Sequence, residues 1–323
     1  MNKSNQFIHH FFKLITSILL SYLFVYLIPW HDIKYFHDFE VYKYRAAQLF
    51  TLGNNQEESF GVFILFSEIL WTKILQILPI YFYDINSGIT FISFSCLSVY
   101  IYYTISRVNP FLGYILLFNP IFIDLIISQV RIGVSFALLL IAYSFRRTII
   151  FPIILISVAT LIHTATILLV AIFLSLIFLK RIVNDNKKFL QISLVFPLFI
   201  MLFIQTILLP IFDFFGDSER AGYFINPIYS SVFFALPWIF FSAMIALLPK
   251  SNLVNENIDY VAFAVSMGSL FFFSSIFQFY GSRFVAVSFP LFIISINCLN
   301  KQFRLPIFLL LFLYQLTYFS YWL

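Results

Sequence analysis

Apolar runs of membrane-spanning length, one after another, constrain this chain more than any motif in it. They lie at roughly 14–28, 60–79, 88–105, 110–128, 131–145, 148–162, 164–179, 189–209, 230–248, 259–279, 284–299 and 305–321. A transmembrane helix needs about 20 predominantly apolar residues. The composition leaves no soluble alternative: 62% of the 323 residues are apolar, 10% are charged, and the mean hydropathy is +0.96. Soluble domains run at roughly 45–50% apolar and about 25% charged. The same numbers exclude a disordered chain. The net charge of +5 sits mostly in short loops, so it reads as a topology signal and not as a nucleic-acid surface. The expectation is an all-α polytopic membrane protein with about 11 (10–12) transmembrane helices, forming a single integral-membrane domain over residues 1–323. Cys96 and Cys298 fall in apolar runs and read as small buried hydrophobes, with no disulfide framework and no metal pattern.

Charge sets the orientation. Lys3 and Lys13 precede the first run, which lacks the small residues of a cleavage site; it is expected to be an uncleaved first span with its N-terminus inside. Residues 29–58 form the longest polar stretch, with three basic against five acidic residues, and are expected as the first extracytoplasmic loop. Within it Phe39, Tyr42 and Ala46 fall at helical spacing and predict an interfacial amphipathic helix. The basic turns Arg146-Arg147, Lys180-Arg181 with Lys187-Lys188, Lys250, and Lys301 with Arg304 are assigned to the cytoplasm, and 210–229 to a second extracytoplasmic loop. Upstream of Arg131 the alternation does not close. One element between 60 and 128 breaks it, and the best candidate is 109–128, where Asn109-Pro110 and Asn119-Pro120 predict broken helices.

Polar groups within apolar segments are costly and therefore informative. Lys73 lies near a segment end and can snorkel, Glu68 lies nearer mid-segment, and Asp124 can cap a short helix. Arg131 opens one helix and His163 closes the next, each 16 residues from Arg147 in the turn between them. At about 1.5 Å per residue the arms are equal, which brings both groups to one depth on the outer side. Two such groups can bind an anion; the structural alternative is a snorkelling Arg and an unrelated interface His. Arg220 and Arg283 fall on the same face, where the positive-inside rule expects few arginines. A diphosphate would explain them, since guanidinium grips phosphate bidentately; salt bridges with Asp38, Glu58 or Asp217 would also. No Walker loop, nucleotide fingerprint, metal-ligand spacing or nucleophile elbow is present.

These residues resemble the EpsG family of bacterial exopolysaccharide proteins, a branch of the Wzy-like repeat-unit polymerases. The likeness spans about residues 40–290. It rests on Asp38-x-x-x-Tyr42, Glu58-Ser-Phe-Gly-Val-Phe, Gln129-Val-Arg131-Ile-Gly-Val-Ser, the turn Arg146-Arg147, Leu161-Ile-His163-Thr-Ala, Arg220 with Tyr223, and Arg283-Phe284. In that family Arg is more often followed by Gln; here Gln129 precedes Arg131. The resemblance implies an architecture like that of C-type glycosyltransferases and a polymerase of undecaprenyl-diphosphate-linked oligosaccharide repeats. It would work at the outer face of the bacterial cytoplasmic membrane without a cofactor or metal, with a flippase and a chain-length regulator as partners. It also implies a diphosphate held by Arg131, His163, Arg220 and Arg283, with Asp38 or Glu58 taking the acceptor proton and Arg131 and His163 stabilising developing charge. Tyr42, Gln129, Tyr223 and Tyr280 would meet substrate. A C-type glycosyltransferase using a polyprenyl-phosphate sugar would need the same arginines. A lipid-linked glycan transporter or flippase fits less well, because no inverted repeat is visible.

Overall fold

The computed structural model describes residues 3–28, 30, 37–52, 68–208, 231–250, 255–277 and 281–320. Every named element among them is helical. The chain divides into two compact units, Met1–Ala171 and Ile172–Leu323.

In the first unit, α1 (Lys3–Leu27) packs on α4 (Ile85–Ile105). The pair is antiparallel, since Tyr26 meets Phe94 while Tyr102 reaches His10. Between them come α2 (His37–Leu52) and α3 (Ile69–Tyr81). The helical spacing in α2 is real, and its Phe39, Tyr42 and Ala46 face is buried. That face meets α3 and α4, so protein covers a stripe expected to lie on lipid. An apolar stripe alone does not say which of the two will cover it.

The segment after α4 is broken as its prolines predict. Helices α5 (Pro110–Tyr114) and α6 (Pro120–Ile127) each start on proline behind an asparagine cap. Proline at the first helical position forfeits only an N–H that lacks an intrahelical partner anyway. Asn109 Oδ1 accepts from the Phe111 N–H at 2.9 Å, and Asn119 Oδ1 from the Phe122 N–H at 3.1 Å. Helix α6 then meets α7 (Val130–Ser144) at a 98° bend. Asn119 is 1% exposed, so an Asn119→Ala variant leaves a buried N–H without its cap. It should lose about 1–2 kcal/mol of stability, read as a lower unfolding midpoint in detergent. An unchanged midpoint would mean Pro120 alone starts α6.

Helix α7 turns at Arg146-Arg147 into α8 (Ile150–Ile162), and α9 (Ala165–Ile182) follows. Tyr100 of α4 ties the unit together: its hydroxyl donates to the Gly133 carbonyl at 2.9 Å, and its ring stacks on Phe136 and meets Phe122 edge-on. Ser135 and Thr166 both donate to the Ala159 carbonyl. Such small polar residues let helices approach closely where lipid supplies no hydrophobic drive.

The second unit contains α10 (Asn186–Phe203), α11 (Val232–Leu247), α12 (Asn255–Ile276), α13 (Ser282–Ile296) and α14 (Lys301–Phe319). Helix α12 lies at its centre, packed by α10, α11 and α13. Its sequence explains this. Ser266 donates across to the Ser193 carbonyl at 2.8 Å, and a Cβ on Gly268 would fall 2.2 Å from Ser242 Oγ. The Trp238 carbonyl would lie 3.2 Å from the same Cβ, so the missing side chain lets α12 and α11 approach closely. Trp238 of α11 donates to the Tyr314 hydroxyl, which donates onward to the Phe234 carbonyl, fixing α14 by its polar handles. Asp185 caps α10; the Lys188 backbone N–H donating to it holds its carboxyl below the usual range.

Among the described residues six helices are long and apolar enough to cross a membrane, and up to seven if the bent α6–α7 pair counts as one span. Four further apolar helices are shorter: α3, α8, α11 and α13. This is a polytopic α-helical membrane protein, with fewer full-length spans among the described residues than the eleven that the apolar runs predict. The difference arises because hydropathy counts apolar runs, whereas turns cut several runs to 13–16 residues. Large apolar side chains such as Phe12, Leu27, Phe178, Phe199 and Leu305 are exposed, as lipid contact requires. Cys96 and Cys298 are free and buried.

Candidate functional site

A buried charge cluster sits where α3, α7 and α8 begin or end. Arg131 lies in the first turn of α7 and His163 directly after α8. The equal arms of the hairpin bring them together, and the group that joins them is Glu68. Arg131 Nη1 donates to Glu68 Oε2, and His163 Nδ1 lies 2.5 Å from Glu68 Oε1. The Thr164 backbone N–H adds a longer bond of 3.4 Å to the same oxygen. An ionised carboxylate only accepts, so Nδ1 carries the hydrogen; Nε2 is then an acceptor in the neutral ring and a donor in the charged one.

Local structure turns the carboxylate inward. Glu68 is the cap residue of α3, but its side chain does not cap the helix. Its backbone sits at φ 51°, ψ 41°, and it is the non-glycine residue with positive φ among those described. That left-handed conformation is uncommon for Glu and tends to mark functional sites. Here it lets the chain start α3 while the carboxylate points at Arg131 and His163.

Helix α2 supplies the second wall. Arg131 Nε donates to the Tyr42 hydroxyl at 3.3 Å, and the guanidinium lies 5.4 Å from the Tyr42 ring centre. The Tyr42 ring meets Trp71 edge-on. Tyr42 is 2% exposed, so it holds Arg131 and presents little surface to a sugar. Asp38, one turn earlier on α2, lies within electrostatic range of Arg131. The side chains of Glu68 and His163 are each 12% exposed, and that of Arg131 23%. The guanidinium therefore keeps some access to a ligand.

Gln129 is also accounted for. Its Nε2 donates to Asp124 Oδ2 at 2.5 Å, and its backbone N–H to the Asp124 carbonyl at 2.9 Å. Both bonds clamp the α6–α7 bend directly under Arg131. Its observed role is to position the start of α7.

The remaining sequence candidates stand elsewhere. Arg283 is in the first turn of α13, in the second unit, and is half-buried. Glu58, Arg220, Tyr223 and Tyr280 lie outside the described residues, as does the whole loop 210–229. Glu68 is the residue that the motif reading left out of the site. Its signal was a carboxylate inside an apolar run; what linear spacing lacked was any way to link it to helices some 60 and 95 residues on. Among the described residues no group of three His, Cys, Asp or Glu has metal-holding geometry.

Chemically, the cluster pairs an arginine and a histidine donor with one carboxylate in a largely buried setting. Such a site can bind an anion if the carboxylate yields or shares its donors, and its electrostatics are strong because water is scarce. No family model, curated protein or solved structure matches this chain.

Proposed function

We propose that this protein is a glycosyltransferase of the repeat-unit polymerase type. It joins undecaprenyl-diphosphate-linked oligosaccharides at the outer face of a bacterial cytoplasmic membrane, in a helical scaffold like that of C-type glycosyltransferases. The observation that supports this most is the Arg131–Glu68–His163 cluster at one end of the α7–α8 hairpin. Glu68 serves as the resting counter-ion and positioning residue. When a diphosphate enters, Arg131 and His163 transfer their donors to it.

In the reaction a hydroxyl oxygen of the incoming lipid-linked repeat attacks the anomeric carbon of the growing glycan. The bond from that carbon to the diphosphate oxygen breaks, and its electron pair leaves with the diphosphate. Arg131 and His163 stabilise the charge developing there without reorganising. The acceptor proton passes to a carboxylate of the first outer loop, Asp38 or Glu58.

The test is a deletion strain examined for surface glycan. Polymer should vanish while the single repeat unit persists on its lipid carrier. Loss of the single repeat as well would point to a sugar-adding glycosyltransferase, and unchanged polymer would remove the reading.

A further inference from the structure

A second polar site lies at the other end of the first unit, where α4 and α7 finish side by side. Tyr103 of α4 is 4% exposed, and its hydroxyl is shut from solvent with no hydrogen-bond partner. Such a group costs free energy unless something bonds it. Arg107, one turn on, lays its guanidinium 3.6 Å from the centre of the Tyr103 ring and donates from Nη1 to the Tyr103 carbonyl at 3.0 Å. From the α7 side, Arg146 rests on the Tyr143 ring at 4.4 Å. Both guanidinium groups fall within electrostatic range of the Tyr103 hydroxyl.

The ion pairs among the described residues involve neither Arg107 nor Arg146. Stacking on tyrosine fixes each side chain without neutralising its charge. The two arginines are exposed, so two pre-set cations flank one buried hydroxyl at a membrane-facing end. Phe145, Ile149 and Ile150 on the adjoining turn are 51%, 77% and 76% exposed and offer acyl chains a surface.

We propose that Arg107, Arg146 and Tyr103 form a binding site for a phosphate oxyanion, distinct from the Arg131 cluster at the far end of α7. The planar guanidinium forks take two phosphate oxygens, and the Tyr103 hydroxyl donates to one of them. The positive-inside rule puts this end at the cytoplasmic leaflet, where anionic phospholipids are plentiful. The phosphate belongs either to such a lipid headgroup or to a soluble phosphate compound.

The experiment uses the full chain in phosphatidylcholine nanodiscs with and without phosphatidylglycerol, with retained lipid read by native mass spectrometry. Wild type should keep phosphatidylglycerol selectively. The double variant Arg107→Gln/Arg146→Gln should bind it about 100-fold more weakly, from roughly a tenfold loss per charge-assisted hydrogen bond removed. Tyr103→Phe keeps the ring and should still weaken retention. Arg147→Gln, on the same turn, should lose no more than about the fivefold of one basic side chain near the surface. Equal retention in the double variant overturns the proposal. An equal loss in Arg147→Gln also overturns it, because that loss would reflect net charge alone. Inorganic phosphate added to the lipid-loaded protein separates the sources. Displacement supports the site with soluble phosphate as an occupant, and persistence of the lipid supports it with the membrane as the source.

Discussion

Glu68→Ala should destabilise the solubilised protein by about 3–5 kcal/mol, the cost of leaving a buried charge without its partner. The carboxylate is the counter-ion for both Arg131 and His163. Removing it strands a guanidinium that cannot deprotonate. Glu68→Gln keeps the shape but not the charge, so it should fall between wild type and Ala. The double variant Glu68→Ala/Arg131→Met should recover much of the loss, since an apolar replacement of a buried pair is often neutral or better. Thermal and denaturant unfolding in detergent of wild type, Glu68→Ala, Arg131→Met and the double variant give the four corners of this cycle, and the coupling comes from their difference. A loss below about 1 kcal/mol would put the pair in the class of exposed salt bridges and deny the cluster any special role.

Arg131→Lys should shorten or abolish polymer even at normal protein level. Lysine keeps the charge but lacks the planar fork, and it cannot reach both Glu68 and the Tyr42 hydroxyl as Arg131 does. Losing one charge-assisted donor to a developing oxyanion costs roughly 2–4 kcal/mol, or about 30- to 1000-fold in rate. The measurement is the glycan ladder of a strain carrying the variant, alongside its unfolding midpoint. A short ladder from a protein of wild-type stability assigns the loss to chemistry. A wild-type ladder would leave Arg131 a structural tie between α2, α3 and α7. His163→Gln gives a second reading of the same site, because the amide can still hold Glu68 but carries no charge.

The sequence by itself determined the solvent. With 62% apolar and 10% charged residues, no aqueous fold was open to the chain, and helices are the spanning form these long apolar runs allow. It also determined local breaks and matched pairs. Asn109-Pro110 and Asn119-Pro120 start short helices because the asparagine oxygen caps and the proline ring tolerates only that position. Arg131 and His163 come to the same end of the hairpin because equal helical arms from one turn must end level with each other. Tertiary structure decided what stands between them. Glu68 reaches both only because α3 packs on α8 and its cap residue takes a left-handed turn, and neither condition is written in nearby residues. Likewise the stripe Phe39–Tyr42–Ala46 announced a buried face, but whether lipid or protein would bury it depended on α3 and α4 arriving there. An apolar stripe gains about as much from either neighbour, so the choice falls to packing geometry and to the Tyr42 hydroxyl, which meets Arg131 only in the folded protein.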